Sequence, residues 1–268
     1  MEFGVFILAQ QRGYHQSSQQ VIHNSIEQTV VAEQAGFNTA WYAEHHFNNY
    51  SLSPSPLMMV AHMAGKTRSI RLGTAVCILP LYHPARLLAE IGFADTVSNG
   101  RLDLGVGSGY QEFEFERFGV NIDESFEIFN EFMDLIPKGL TQKIFEHEGK
   151  FLKVPPSSIA VRCVQNPMPP VWVTSGNPTT LGRGMRENHN LFVTALLGGN
   201  DAITALRERL VVADLAGTGA RAGRLVALLA GSPLHSTQRR CHSGVSGGAF
   251  ALHGLGGAHP GSHLECGL

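Results

Sequence analysis

Short apolar runs, each followed by a stretch of helical periodicity, recur along the first two hundred residues, and few folds accommodate that alternation. Residues 3–8 form a continuous apolar run of the kind found in a strand covered on both faces. A polar segment follows, then a helical pattern with Ile22, Ile26 and Val30 at i, i+4 and i+8 and a stop at Gly36. Residues 39–43 repeat the strand signal, and Pro56 opens a helix whose apolar face carries Met59, Val60, Met63 and Ala64. A third strand spans 71–78. Pro84 then begins a helix with Leu87, Leu88, Ile91 and Val97 facing inward, ended by Asn99-Gly100. Strands so alternated with helices belong in a parallel sheet, and 268 residues suffice for one TIM-type (β/α)8 barrel of about 250.

The fourth strand, 102–106, runs into Gly105-Val106-Gly107-Ser108-Gly109-Tyr110, where backbone could approach a ligand closely. Asp123 is placed to cap a helix bearing Phe126, Phe129, Met133 and Ile136. Residues 141–170 are proline-rich and less periodic, an excursion expected to shape a pocket together with the loop after His46. The pattern resumes with a strand at 171–174, a helix after Ser175-Gly176-Asn177-Pro178-Thr179-Thr180, a sixth strand at 191–196 and a helix over 201–213. From Leu215 onward only one acidic residue, Glu265, and one aromatic, Phe250, remain, and a single strand-like run at 224–230 interrupts Gly, Ala, Ser and His. The expected architecture is therefore α/β: a TIM (β/α)8-type barrel carried by 1–213 and incomplete at strands seven and eight. Residues 214–268 form a divergent tail, expected to be frameshifted or disordered.

Composition narrows the function. A formal net charge of -2 gives no long-range field suited to nucleic acid or to an anionic membrane. No apolar segment approaches the roughly 18 residues of a membrane span. Small molecules and copies of itself are the expected partners. Cys77, Cys163, Cys241 and Cys266 are widely spaced and the N-terminus enters its apolar run without a secretory signal, so a reducing cytoplasm is the expected compartment. The tail's histidines and cysteines match no standard zinc spacing, and no metal is expected.

In a parallel barrel the loops after the strands gather on one face, where barrel active sites lie. Glu44, His45 and His46 follow strand two, Ala75 to Cys77 end strand three, Gly107 to Tyr110 follow strand four, and Ser175 to Thr180 follow strand five. Taken singly these residues have ordinary readings: a structural histidine at a strand end, a glycine turn, a helix cap. Their common address is what singles them out.

Trp-Tyr-Ala-Glu-His-His-Phe at 41–47, Gly-Thr-Ala-Val-Cys-Ile-Leu-Pro-Leu-Tyr-His-Pro at 73–84, Asn-Gly-Arg-Leu-Asp-Leu-Gly-Val-Gly-Ser-Gly-Tyr at 99–110 and Arg-Phe-Gly at 117–119 together resemble the bacterial-luciferase-like flavin-dependent monooxygenases, over about 1–213. The resemblance implies reduced FMN, dioxygen adding to it as a C4a-hydroperoxide, and oxidation of a small organic substrate. It also implies a flavin reductase as supplier and a homo- or heterodimer. His45 matches the family's catalytic histidine, an imidazole able to exchange protons near neutral pH, and Glu44 would orient its loop. Ala75-Val76 corresponds to a non-prolyl cis peptide against the flavin, with Gly107, Ser108, Gly109 and Tyr110 beside it. Ser175, Gly176, Asn177, Thr179 and Thr180 lie where relatives hold the phosphate. Ser108 stands where luciferase has an arginine, which leaves a deazaflavin (F420) reductase open, and the altered tail leaves open a non-catalytic remnant binding flavin or an intact paralogue.

Overall fold

The computed structural model describes residues 2–13, 15–175, 177–193 and 225–227. Parallel strands β1 (Gly4–Ile7), β2 (Thr39–Tyr42), β3 (Arg71–Thr74), β5 (Leu102–Gly107), β8 (Val171–Thr174), β9 (Asn190–Val193) and β10 (Leu225–Ala227) lie side by side in chain order. The short β4 (Cys77–Ile78) adds to β5. Helices α1 (Ser18–Gln34), α2 (Pro56–Ala64), α3 (Pro84–Val97), α5 (Ser125–Thr141) and α6 (Pro178–Arg186) connect them, and α4 (Glu112–Phe118) sits on the loop after β5. Among the described residues the sheet has seven successive barrel strands, the last of only three residues and none joining β10 back to β1. That is an α/β barrel left incomplete, and β10 falls within the strand-like run at 224–230. The remainder of the expected tail, and the helix over 201–213, lie outside the described residues.

Side chains alternate between two packing clusters along β1, β2 and β8. Ala40, Tyr42, Leu72, Leu102, Leu104, Val106, Val171, Val173 and Leu191 pack outward in one core with the helices. Trp41, Trp172 and Phe192 point inward and form a second core with Phe6, Ala75 and Val76. Trp41 meets Trp172 and Phe192 edge-on with centroids 5.0 and 4.7 Å apart, so the inner faces of β2 and β9, four places apart in the sheet, touch. A Cβ at Gly73 would run into the Trp41 ring, and one at Gly105 would lie 2.8 Å from Phe192 Cε2.

Several sequence expectations shift. The third strand is divided: the Ala75–Val76 peptide is cis, and the ladder breaks between β3 and β4. There the Thr74 hydroxyl bridges the gap, donating to the Gly105 carbonyl at 2.7 Å and accepting the Gly105 N–H at 2.8 Å. On α1 the buried stripe is Val21, Ser25, Thr29 and Ala32, one residue off the predicted one. Val97 is exposed. Asp123 lies in a 3-10 turn capped by Asn121, one turn before α5. The segment 141–170 contains an antiparallel hairpin of β6 (Phe145–Glu148) and β7 (Lys153–Ser157), which packs on α5.

The end of the sheet opposite the rim is tied by polar groups. Arg71 makes a bidentate bond to buried Asp103 at 2.7 and 2.9 Å. Glu33, near the end of α1, accepts the backbone N–H groups of Arg68, Ser69 and Ile70 at 2.7–3.0 Å. Burial alone would raise the Glu33 pKa, but those donors and the Ser69 hydroxyl outweigh it and bring the carboxyl down from 4.5 to about 2.

Two outcomes are expected. Thr74→Val leaves both polar groups of Gly105 without that partner, and the unfolding free energy in urea should fall by about 2 kcal/mol; a change within about 0.5 kcal/mol would show that the bridge is dispensable. Because the folded pKa of Glu33 is depressed, its contribution is fully present above pH 4.5 and lost as pH falls towards 2. Glu33→Gln should therefore unfold at lower urea than the parent at pH 7, with the gap closing across that window, and a gap independent of pH would contradict the assignment.

Candidate active site

The hollow above the aromatic floor follows from a change of side-chain size along the inward positions. Two residues beyond Trp41, Gly73, Gly105 and Trp172 come Ala43, Ala75, Gly107 and Thr174, and all four line a cavity of about 500 Å³. Phe6, Leu8, Ile78 and Phe126 supply apolar walls, with Tyr50 and Tyr110 at the rim. A Cβ on Gly107 would lie 2.8 Å from a Val76 methyl and 3.1 Å from the Thr174 methyl, so glycine leaves room for those two side chains where a flat ligand could lie. A second hollow of about 450 Å³ on the outer face, lined by Val5, Val31, Ala32 and Phe37, gathers no such chemistry.

The structure brings Glu44, His45, Ala75, Val76, Gly107, Ser108, Gly109, Tyr110, Ser175 and Asn177 into one lining. Thr179 and Thr180 are not in the lining but stand in the first turn of α6, after the cap Asn177, and Gly176 is outside the described residues. No lining residue comes from 141–170, contrary to expectation: that hairpin is taken up by α5. The loop after His46 does contribute, through Tyr50. Among the described residues, no cluster of three or more His, Cys, Asp or Glu could hold a metal ion, and no helix is long and apolar enough to cross a membrane.

The adjacent imidazoles have separate surroundings. His45, 8 % exposed, faces the cavity; its Nδ1 lies 3.1 Å from Glu114 Oε1. Tyr50 and Tyr110 present edge-on contacts to its ring at 4.9 and 5.9 Å. His46 turns away, its Nε2 2.9 Å from Glu44 Oε1 and its ring edge-on to Phe118 at 4.7 Å. Glu44 uses its second oxygen to accept the Tyr82 hydroxyl at 2.7 Å and the Ile78 N–H at 3.2 Å. Burial raises the Glu44 pKa above the usual carboxylate range, with His46, Tyr82 and the Ile78 amide pulling against it. Burial likewise pushes up the hydroxyl of Tyr82 and the thiol of Cys77, so Cys77 packs as a small apolar group.

Glu114 escaped the sequence reading. It is fully buried and also accepts the His46 N–H at 2.7 Å. Its helix was hidden because Glu112-Phe113-Glu114-Phe115-Glu116 alternates like a strand; the one helical cue was Gly119, the left-handed stop at φ 69°. Glu114 and Phe118 stand at i and i+4, and each grips one histidine.

At the opposite wall, Asn177 caps α6 by accepting the Thr179 N–H at 2.8 Å, and Ser175 Oγ accepts the Asn177 N–H at 2.9 Å. Arg183 anchors this helix to α5 through Asp134 at 2.6 Å and the Asn130 carbonyl at 3.0 Å. Thr180 is buried, and its hydroxyl has no partner among the described residues. The helix start thus offers amide and hydroxyl donors to an anion.

Comparison with known proteins places this arrangement. The chain is 65% identical over 207 residues to the uncharacterized protein y4vJ of Sinorhizobium fredii, covering 77% of this chain and 59% of the relative. It is 32% identical over 208 residues to the oxygenase component of the flavin-dependent trigonelline monooxygenase of Acinetobacter baylyi, covering 77% and 58%. It therefore spans just under three fifths of the length of these relatives. The crystal structure of monooxygenase RslO1 from Streptomyces bottropensis aligns with TM-score 0.76 and 25% identity, over 82% of this chain and 68% of that one. The family model for luciferase-like monooxygenases matches residues 1–239, a span that takes in every residue lining the cavity, and the chain belongs to that family.

Proposed function

We propose that the chain is the oxygenase of a two-component system, using reduced FMN from a separate reductase and dioxygen to oxidise a small organic molecule. The observation that carries this reading is the single cavity in which loops from four strands bring together His45, the Ala75–Val76 cis peptide, Gly107 to Tyr110 and Asn177. Its volume of about 500 Å³ falls within the roughly 300–1,000 Å³ of small-molecule sites. The relative from Acinetobacter, described as an oxygenase component, supports a reductase partner.

The residues present fit a flavin mononucleotide. Ala75, Val76 and Gly107 form a smooth wall for the ring system, while Ser175, Asn177, Thr179 and Thr180 offer donors for the phosphate. Bound reduced flavin supplies the electrons and the reaction with dioxygen. His45, the one imidazole in the lining among the described residues, accepts and returns a proton at the cavity. Phe6, Leu8, Ile78 and Phe126 keep water from the reacting centre. Glu44 holds the Ile78 amide and Tyr82, fixing the segment that carries Ala75–Val76; it is a positioning residue.

The test is oxygen uptake by the full chain with FMN, a general flavin reductase and a panel of aldehydes, N-heteroaromatics and alkanesulfonates. The expected result is oxygen consumption coupled to an oxidised product. Failure to bind FMN, or turnover with a reduced deazaflavin in the absence of oxygen, would overturn the proposal. Replacing His45→Ala should change FMN affinity by less than about threefold and lower product per flavin oxidised by about tenfold or more, given the roughly 100-fold or greater contribution typical of general acid–base groups. An unchanged yield would remove His45 from proton handling.

A further inference from the structure

We infer that Glu114 is the positioning residue that fixes the tautomer of His45, placing the proton on Nδ1 and the basic lone pair on Nε2, towards the cavity. This rests on the reading of His45 as the proton-handling group of a monooxygenase. Neutral imidazole has one donor and one acceptor nitrogen, and its hydrogen-bond partner decides which is which.

As a carboxylate Glu114 settles that choice, because both of its oxygens are then acceptors only. Its Oε1 already accepts the His46 N–H at 2.7 Å and lies 3.1 Å from His45 Nδ1. A carboxylate oxygen has more than one lone pair, so the bond from the His46 amide leaves Oε1 free to accept a second. Oε1 therefore remains an acceptor, and Nδ1 must donate to it. Oε2 is buried and has no hydrogen-bond partner among the described residues. No other described group competes for the ring nitrogens: Tyr50 and Tyr110 make edge-on ring contacts with His45, and Glu44 is engaged with His46, Tyr82 and Ile78.

The clamp is double. One oxygen holds both the ring of His45 and the peptide that follows it, across 69 and 68 positions of sequence respectively. Gly109 makes the approach of α4 possible: at φ 78°, a Cβ there would lie 2.7 Å from Ile78 and from Phe115, so a side chain would push the helix away from the histidine loop.

The test is nitrogen–proton NMR of histidine-labelled, flavin-free full-length chain, at a pH where the imidazoles are neutral. The expected wild-type spectrum shows His45 protonated at Nδ1 and bare at Nε2. Glu114→Ala should return His45 to the Nε2-protonated form usual for free histidine and lower product per flavin oxidised by about tenfold. Glu114→Gln keeps an acceptor oxygen in place, so it should keep the wild-type tautomer and hold the yield within about threefold, a rescue that general damage to packing would not produce. A wild-type His45 protonated at Nε2, or an alanine variant with an unchanged spectrum, would overturn the inference. Should the alanine variant fail to fold, the wild-type spectrum decides alone. Finding the Nδ1–H tautomer without oxygen-coupled turnover would uphold the positioning role while sinking the monooxygenase reading.

Discussion

The cavity exists because three aromatic rings fill the barrel below it and only glycines or small residues leave them room. Trp41 projects inward where Gly4 and Gly73 flank it, and a Cβ on either would press on the indole. Burying a tryptophan side chain of about 200 Å² contributes up to about 5 kcal/mol, an upper value because the unfolded chain already hides part of that surface. Trp172 and Phe192 close the floor from the other side, at centroids 5.3 Å apart. The curl of the sheet and the depth of the cavity thus have one origin. Side chains that are large at one inward position and small at the next make a plug with a hollow on top.

What sits on the rim depends on bonds between loops distant in sequence. Phe47 adopts φ 59°, a left-handed conformation that costs a side-chain-bearing residue roughly 1–2 kcal/mol. The preceding amide is held by Glu114, and the His46 carbonyl accepts from Asn48 at 3.0 Å. The loops after β1 and β2 are also joined: the Gln11 N–H donates to the Asn49 carbonyl at 3.0 Å and the Asn49 side chain returns a bond at 3.1 Å. A strained loop so restrained keeps His45 aimed at a fixed point.

The strands were legible because their inward and outward residues differ so sharply, and the rim residues because each ends a strand. The misses have distinct physical causes. On α1, hydrophobicity selects Ile22, Ile26 and Val30, yet the most buried positions carry Val21, Ser25, Thr29 and Ala32, with Ile26 and Val30 packed at the edge of the core. The hydroxyls there cost little, since Ser25 donates to Val21 at 2.9 Å and Thr29 to Ser25 at 3.1 Å, with Tyr42 also at hand. The split of the third strand is a slip of one residue in register against β5, from Leu72 opposite Leu102 to Cys77 opposite Val106, and the composition of 71–78 carries no sign of it. Glu114 was invisible for a different reason: among three glutamates alternating with phenylalanines, burial of the middle one is decided by where α4 docks, a property of the packed loop.

The paired histidines show how far residue type falls short of residue role. As neighbours in sequence they look interchangeable, yet each ring is bound through a different nitrogen to a different carboxylate, His45 by Nδ1 and His46 by Nε2. Glu44 connects His46 to the Tyr82 hydroxyl and the Ile78 amide, so this histidine belongs to the wall that carries Ala75 and Val76. Glu114 connects His45 to the helix on the loop after β5. Two free imidazoles opening on one cavity would offer two proton acceptors at uncontrolled geometry. With the His46 ring given to the scaffold, His45 is the one of the pair that lines the cavity, and on the reading proposed above its contact with Glu114 decides which nitrogen is free there.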